Sequence, residues 1–275
     1  MRRAALPALA AVCAALCPAV CSPALAQEAP IPPAAEALPD RVLHDGIGRD
    51  GIGHDGSRGS GPVMRGQYVV VSGAGAGLRG ACLVCHGTDG AGDAAAGVPR
   101  LAGQLDWYLH KQLDDYARGT RPDPVMGPIA RALTAQERAD VALYYAIQAP
   151  PPGAGGGLPL PTAGGATTAG PARGETLARG ETLARQGEPR AGVQACAACH
   201  GAAGEGVPPG LPALAGQPAG YLEEQLLRWR AGIRRNGPVG VMAHIARHLP
   251  PEDLRAVSRY YASLPPARAA AAPGP

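Results

Sequence analysis

The chain contains no phenylalanine and one lysine, Lys111, against 40 glycines and 30 prolines in 275 residues. This bias toward Ala, Gly, Pro and Arg excludes little by itself. The charge says more. The formal net charge is +3, and setting Arg2 and Arg3 aside leaves 23 Lys+Arg against 22 Asp+Glu. No basic stripe or aromatic–basic module is present, which argues against a nucleic-acid partner. Long apolar runs are also missing. A spanning helix needs about 20 apolar residues, and the best run, Ala4–Val20, is broken by Pro7 and Pro18. Methionine is scarce, with four in all, and cysteine is confined to two places. Cys13, Cys17 and Cys21 fall in the first 26 residues. The other four form two pairs, so the chain after Ala26 has no spare thiol.

Each pair is followed at once by histidine: Cys82-Leu-Val-Cys85-His86 and Cys196-Ala-Ala-Cys199-His200. C-x-x-C-H is the attachment motif of covalent haem c. Two thiols on one helical turn can add to the two vinyl groups of one haem. The histidine then lies under the porphyrin face with an imidazole nitrogen aimed at the iron. A zinc ribbon also pairs C-x-x-C units, but about 15–20 residues apart, whereas these lie more than a hundred apart. Two disulfides would suit an exported chain but leave the paired histidines unexplained. The sequence therefore predicts two covalently bound haem c groups, held by Cys82 and Cys85 and by Cys196 and Cys199, with His86 and His200 as iron ligands.

The organisation follows in chain order. Residues 1–26 read as a signal peptide, with Arg2 and Arg3 as the positive start and Ala24-Leu-Ala26 as the cleavage site. Residues 27–62 are too rich in Gly, Asp and Pro to bury a core and are expected to be disordered; His44 and His54 in them read as solvated. Gly75–Gly80 matches G-x-G-x-x-G after the strand-like Tyr68–Val71. A dinucleotide site would need a following helix and second strand, and the cysteine motif begins two residues later instead. A glycine-weakened first helix is the alternative reading. Leu105–Arg118 is amphipathic and ends at Gly119. Thr134 and Glu137 form a capping box opening the last helix of this half. Residues 149–173 read as a Pro/Gly linker and 266–275 as a disordered tail.

The second half repeats the first. Leu214–Gln217 matches Leu101–Gln104, Gln225-Leu226 matches Gln112-Leu113, and Tyr260-Tyr261 matches Tyr144-Tyr145, at offsets of 113 to 116 residues. Two small domains result, 63–148 and 174–265. Each is marginal for an all-protein core, and a buried haem supplies the missing apolar surface.

A low-spin haem wants a second axial ligand. Met126 and Met242 lie 40 and 42 residues after their histidines, both in Pro/Gly stretches read as loops. His110, His244 and His248 are rivals, but only the second half has a histidine near its methionine. Pro99 and Pro212 follow the histidines by 13 and 12 residues. Carbonyls near them are candidate acceptors for the second imidazole nitrogen. Arg121, Arg234, Arg235 and Asn236 are candidates for pairing haem propionates.

The order C-x-x-C-H-G, P-x-L-A-G-Q, Y-L-x-x-Q-L, a proline-flanked Met and a helix ending in Tyr-Tyr resembles class I c-type cytochromes. Its duplication resembles the dihaem cytochrome c4 family. The resemblance implies an all-α fold of two tandem class I cytochrome c domains facing each other across a pseudo-two-fold, with His/Met ligation in both. It implies a periplasmic carrier passing electrons from a quinol–cytochrome c reductase to a terminal oxidase, with peripheral membrane association compatible. The alternative is the electron-accepting subunit of an exported dehydrogenase oxidising, for example, a sulfur compound or an alcohol. A dihaem peroxidase would need one open iron, which the paired methionines oppose.

Overall fold

The structure, a computed structural model, describes residues 61–151 and 171–266. The expected signal peptide, most of the 27–62 segment, the body of the linker and nearly all of the tail lie outside them. Among the described residues there are only helices, turns and isolated bridges. None of the described helices is long and apolar enough to cross a membrane.

The first half contains α1 (Pro62–Ser72), α2 (Leu83–His86), α3 (Asp106–Arg118), α4 (Met126–Ala132) and α5 (Ala135–Ile147). The second repeats this with α6 (Pro171–Gln186), α7 (Ala197–His200), α8 (Ala219–Arg230), α9 (Val241–His248) and α10 (Pro251–Ser263). Helix α6 begins three residues inside the stretch expected to be linker. Tyr68–Val71 is helical, not a strand. The Gly75–Gly80 motif forms parts of two 3₁₀ turns, Ala74–Ala76 and Leu78–Gly80, with no sheet beside them. Gly73, at φ +73°, ends α1 in the left-handed conformation, which glycine adopts without a Cβ penalty.

The first and last helices of each half cross in close contact. Gly66 sits at the α1–α5 crossing, where an added Cβ would lie 2.2 Å from the Asp140 carbonyl oxygen. Gly180 does the same for α6 and α10, 2.3 Å from the Ala256 carbonyl oxygen. Gly66 lies before the Gly75–Gly80 stretch expected to weaken the first helix, and its lack of a Cβ is what lets that helix dock. Beside each crossing an arginine grips a buried carboxylate with two bonds. Arg65 holds Asp140 at 2.7 and 2.9 Å, and Arg179 holds Asp253 at 2.8 and 2.5 Å. Val70, Leu109, Val141 and Tyr145 form the core of the first half. Leu183, Leu249, Leu254 and Tyr261 form that of the second. The capping box at α5 is present, with Thr134 Oγ1 accepting from the Glu137 N–H at 3.2 Å and Glu137 accepting from the Thr134 N–H at 2.7 Å.

Candidate haem sites

The short helices α2 and α7 carry the cysteine–histidine motifs, so the two thiols and the imidazole of each project from about one turn. The first cysteine of each pair, Cys82 or Cys196, packs against its domain core. Burial pushes both thiols up to about 11, so at neutral pH they stay protonated and are weak nucleophiles toward disulfides. The following chain is tied down by the Tyr-Tyr helix ends. Tyr145 Oη donates to the Gly87 carbonyl at 2.8 Å and Tyr144 Oη to the Thr88 carbonyl at 2.9 Å. In the second half the Tyr261 hydroxyl is buried beside Cys196 instead.

His86 and His200 are each 8% exposed. His86 Nδ1 lies 3.0 Å from the Pro99 carbonyl and His200 Nδ1 lies 2.9 Å from the Pro212 carbonyl. A carbonyl can only accept, so Nδ1 carries the hydrogen and Nε2 keeps its lone pair. Burial lowers the proton affinity of both rings, against the opposing pull of those carbonyls. Neutral imidazole with a fixed tautomer is the form that binds a metal.

One cavity of about 1180 Å³ is lined by Cys82, Cys85, His86 and Met126 and equally by Cys196, Cys199, His200 and Met242. That exceeds the ~300–1,000 Å³ of an ordinary single-ligand pocket. The methionines are not in loops as expected. Met126 is the first residue of α4 and Met242 the second of α9. Proline is compatible with a helix's first turn, so Pro128 does not hold this stretch out of helix. The Asp123 carboxylate accepts from the Val125 and Met126 N–H groups at 3.0 and 2.9 Å. Of the rival ligands, none of His110, His244 and His248 lines the cavity.

Several guanidiniums also line it, Arg121 and Arg234 among them. Arg121 and Arg234 are each 3% exposed and exchange partners between the halves. Arg121 donates to Gln112 (2.9 Å) in its own half and to Tyr221 (3.0 Å) and Gln225 (2.7 Å) in the other. Arg234 donates to Gln225 (2.9 Å) and, across the interface, to Gln112 (3.0 Å). Asn236 joins the cluster through Gln112 and Asp115, while Arg235 is exposed and bonds its own turn at Gly232. The two buried cations meet mainly neutral amides and phenols, a setting suited to an anionic group. The sequence offered four equivalent polar candidates here, and only burial separates Arg121 and Arg234 from Arg235.

The donor set therefore fits haem c twice over: paired thiols, an imidazole with its outer nitrogen anchored, a thioether on the same cavity wall, an apolar cavity and buried cations. Comparison with known proteins agrees. The cytochrome c family model matches residues 72–145 and 177–265. The thiosulfate dehydrogenase electron acceptor of Stutzerimonas stutzeri is 40% identical over 200 residues, 72% of this chain and 86% of that one. The reduced recombinant cytochrome c4 from Pseudomonas stutzeri superposes with a TM-score of 0.57 at 33% identity, over 74% of this chain and all of that one. A thiosulfate dehydrogenase (TsdBA) from Marichromatium purpuratum gives 0.62 at 36% identity, but this chain spans only 40% of its length. Both halves being matched, the chain belongs to the cytochrome c family, as a dihaem electron-transfer cytochrome of the cytochrome c4 type with covalently bound haem c.

Proposed function

We propose that the protein is an exported electron carrier of a respiratory chain, working in the periplasm after cleavage behind Ala26. In this reading Cys82, Cys85, Cys196 and Cys199 would form the thioether links, and His86 with Met126 and His200 with Met242 would hold the two irons. Bound there, the haem irons supply reversible one-electron transfer. The chain's part is to hold each imidazole in one tautomer, keep an apolar wall around the site and fix one site against the other. The observation that carries the reading is the shared cavity with both ligand sets on its walls. An electron entering at one site then has a fixed route to the second, and the sites need not open. A quinol-oxidising complex is the expected donor and a terminal oxidase the expected acceptor.

One specific observation favours a second donor. The relative from Stutzerimonas stutzeri is named as the electron acceptor of a thiosulfate dehydrogenase. An exported dehydrogenase oxidising a sulfur compound is thus the alternative source of electrons. The first test is an optical spectrum with a pyridine-haemochrome count on the exported protein. Two low-spin haems per chain with a methionine-to-iron band are expected. A high-spin component that binds cyanide would mean an open iron and would overturn the plain carrier. Stopped-flow reduction of the ferric protein by a quinol–cytochrome c reductase, and separately by a thiosulfate-oxidising dehydrogenase, then separates the donors.

A further inference from the structure

The motif P-x-L-A-G-Q places a proline and a glutamine five residues apart in each half, and the two do different jobs. The peptide unit joining Pro99 to Arg100 turns its carbonyl to His86 Nδ1 at 3.0 Å. The N–H of that same unit donates to Gln217 Oε1, in the other half, at 3.0 Å. Gln217 Nε2 closes the clasp by donating to the Arg100 carbonyl at 2.8 Å. The mirror arrangement is complete. The peptide from Pro212 to Ala213 presents its carbonyl to His200 Nδ1 at 2.9 Å and its N–H to Gln104 Oε1 at 2.9 Å. Gln104 Nε2 donates to the Ala213 carbonyl at 3.0 Å. Both glutamines are 4% exposed. Their amide orientation is forced, because an N–H can only donate and a carbonyl only accept.

We propose that Gln217 and Gln104 are positioning residues that each tune the iron-binding histidine of the opposite domain through one peptide unit. The peptide bond is a resonance system. An acceptor on its N–H moves electron density toward its oxygen, and bonds in such a chain strengthen one another by ~10–30% each. A more negative Pro99 oxygen draws harder on the His86 Nδ1–H. That makes Nε2 a stronger donor to the metal and favours the ferric form. The donor strength of each site is therefore set partly by the other domain, and docking and redox state are linked. By reciprocity, oxidation at one site tightens the clasp that holds the domains together.

The inference rests on His86 and His200 being the iron ligands, so the test begins with wild-type holoprotein. Two low-spin, histidine-ligated haems must be present; if not, that reading fails first. Gln217→Met and Gln104→Met, each in the full-length holoprotein, are then titrated by NMR of the hyperfine-shifted haem methyls, which resolves the two sites. Gln217→Met should shift the domain 1 equilibrium about threefold toward ferrous, about 28 mV upward at 59 mV per tenfold. Domain 2 should stay put, and Gln104→Met should do the reverse. A purely structural clasp gives another sign: loosened domains admit water, which favours the more highly charged ferric form and lowers both potentials. Paired downward shifts, a shift in the substituted domain alone, or no shift in a correctly ligated protein would each overturn the proposal.

Discussion

Gly66→Ala is the sharpest test of the helix crossing. Alanine in a helix interior is normally better than glycine by about 1 kcal/mol. At Gly66 the new Cβ would lie 2.2 Å from the Asp140 carbonyl oxygen and 2.9 Å from Tyr144 Cβ. The nearest obstacle is backbone, so no rotamer change relieves it and α1 must lift from α5. Overpacking costs about 1–3 kcal/mol, and a backbone clash belongs at the top of that range. Subtracting the propensity gain leaves a net loss of about 2 kcal/mol, or about 8–16 °C in Tm for a domain of this size. Gly180→Ala should behave alike, with its Cβ 2.3 Å from the Ala256 oxygen and 2.7 Å from Tyr260 Cβ. Gly174→Ala is the control. It lies on α6 with nothing within 4 Å of its Cβ position and should gain up to about 1 kcal/mol. Thermal melts of the holoprotein, followed by circular dichroism and haem absorbance, measure all three. If Gly66→Ala and Gly180→Ala melt with or above the wild type, the close crossing is refuted.

Three further outcomes are expected. Arg179→Met leaves Asp253 buried without its main partner and should cost about 1–2 kcal/mol in denaturant unfolding. That is less than the ~3–5 for a fully buried pair, because Arg179 is itself 39% exposed and screened. Thr134→Ala removes the α5 capping box and should cost about 1 kcal/mol, with unchanged haem spectra; a spectral change would mean that the cap reaches the site. A Cys82→Ser/Cys85→Ser protein, which cannot attach the first haem, should lose the helical signal of domain 1. Half of the 1180 Å³ cavity left unfilled costs on the order of 14 kcal/mol, comparable with a domain's whole stability. A native-like far-UV spectrum with one haem attached would count against haem as the core of that domain.

The attachment chemistry was legible in the sequence because covalent haem binding needs its residues adjacent. Cysteines and histidine must share one turn, so five consecutive letters carry the signal. The duplication was legible for a similar reason: offsets of 113 to 116 residues recur across both halves. The candidate ligand methionines could be picked out by scarcity, but their setting was misread, since proline marks a loop and a helix's first turn alike. The pairing of Gln104 with Ala213 and of Gln217 with Arg100 had no local signal. Those partners lie 109 and 117 residues apart, and nothing within either segment says which domain its glutamine serves.

The repeated hexapeptide on α6 shows where the division falls. Ala172–Leu177 and Ala178–Leu183 are the same six residues in the same helix. By themselves they determine helix, and they do so twice. Only packing distinguishes them. Gly180 is pressed against the Ala256 carbonyl while Gly174 meets nothing, and Leu183 is 1% exposed while Leu177 is half-buried. Local sequence determined the haem attachment, the helices and their repetition, because these depend on neighbours a few residues away. Which glycine sits at a helix crossing, which arginine is buried and which peptide of the other domain each glutamine clasps was decided by tertiary structure. Those outcomes depend on surfaces that meet only after the chain has folded.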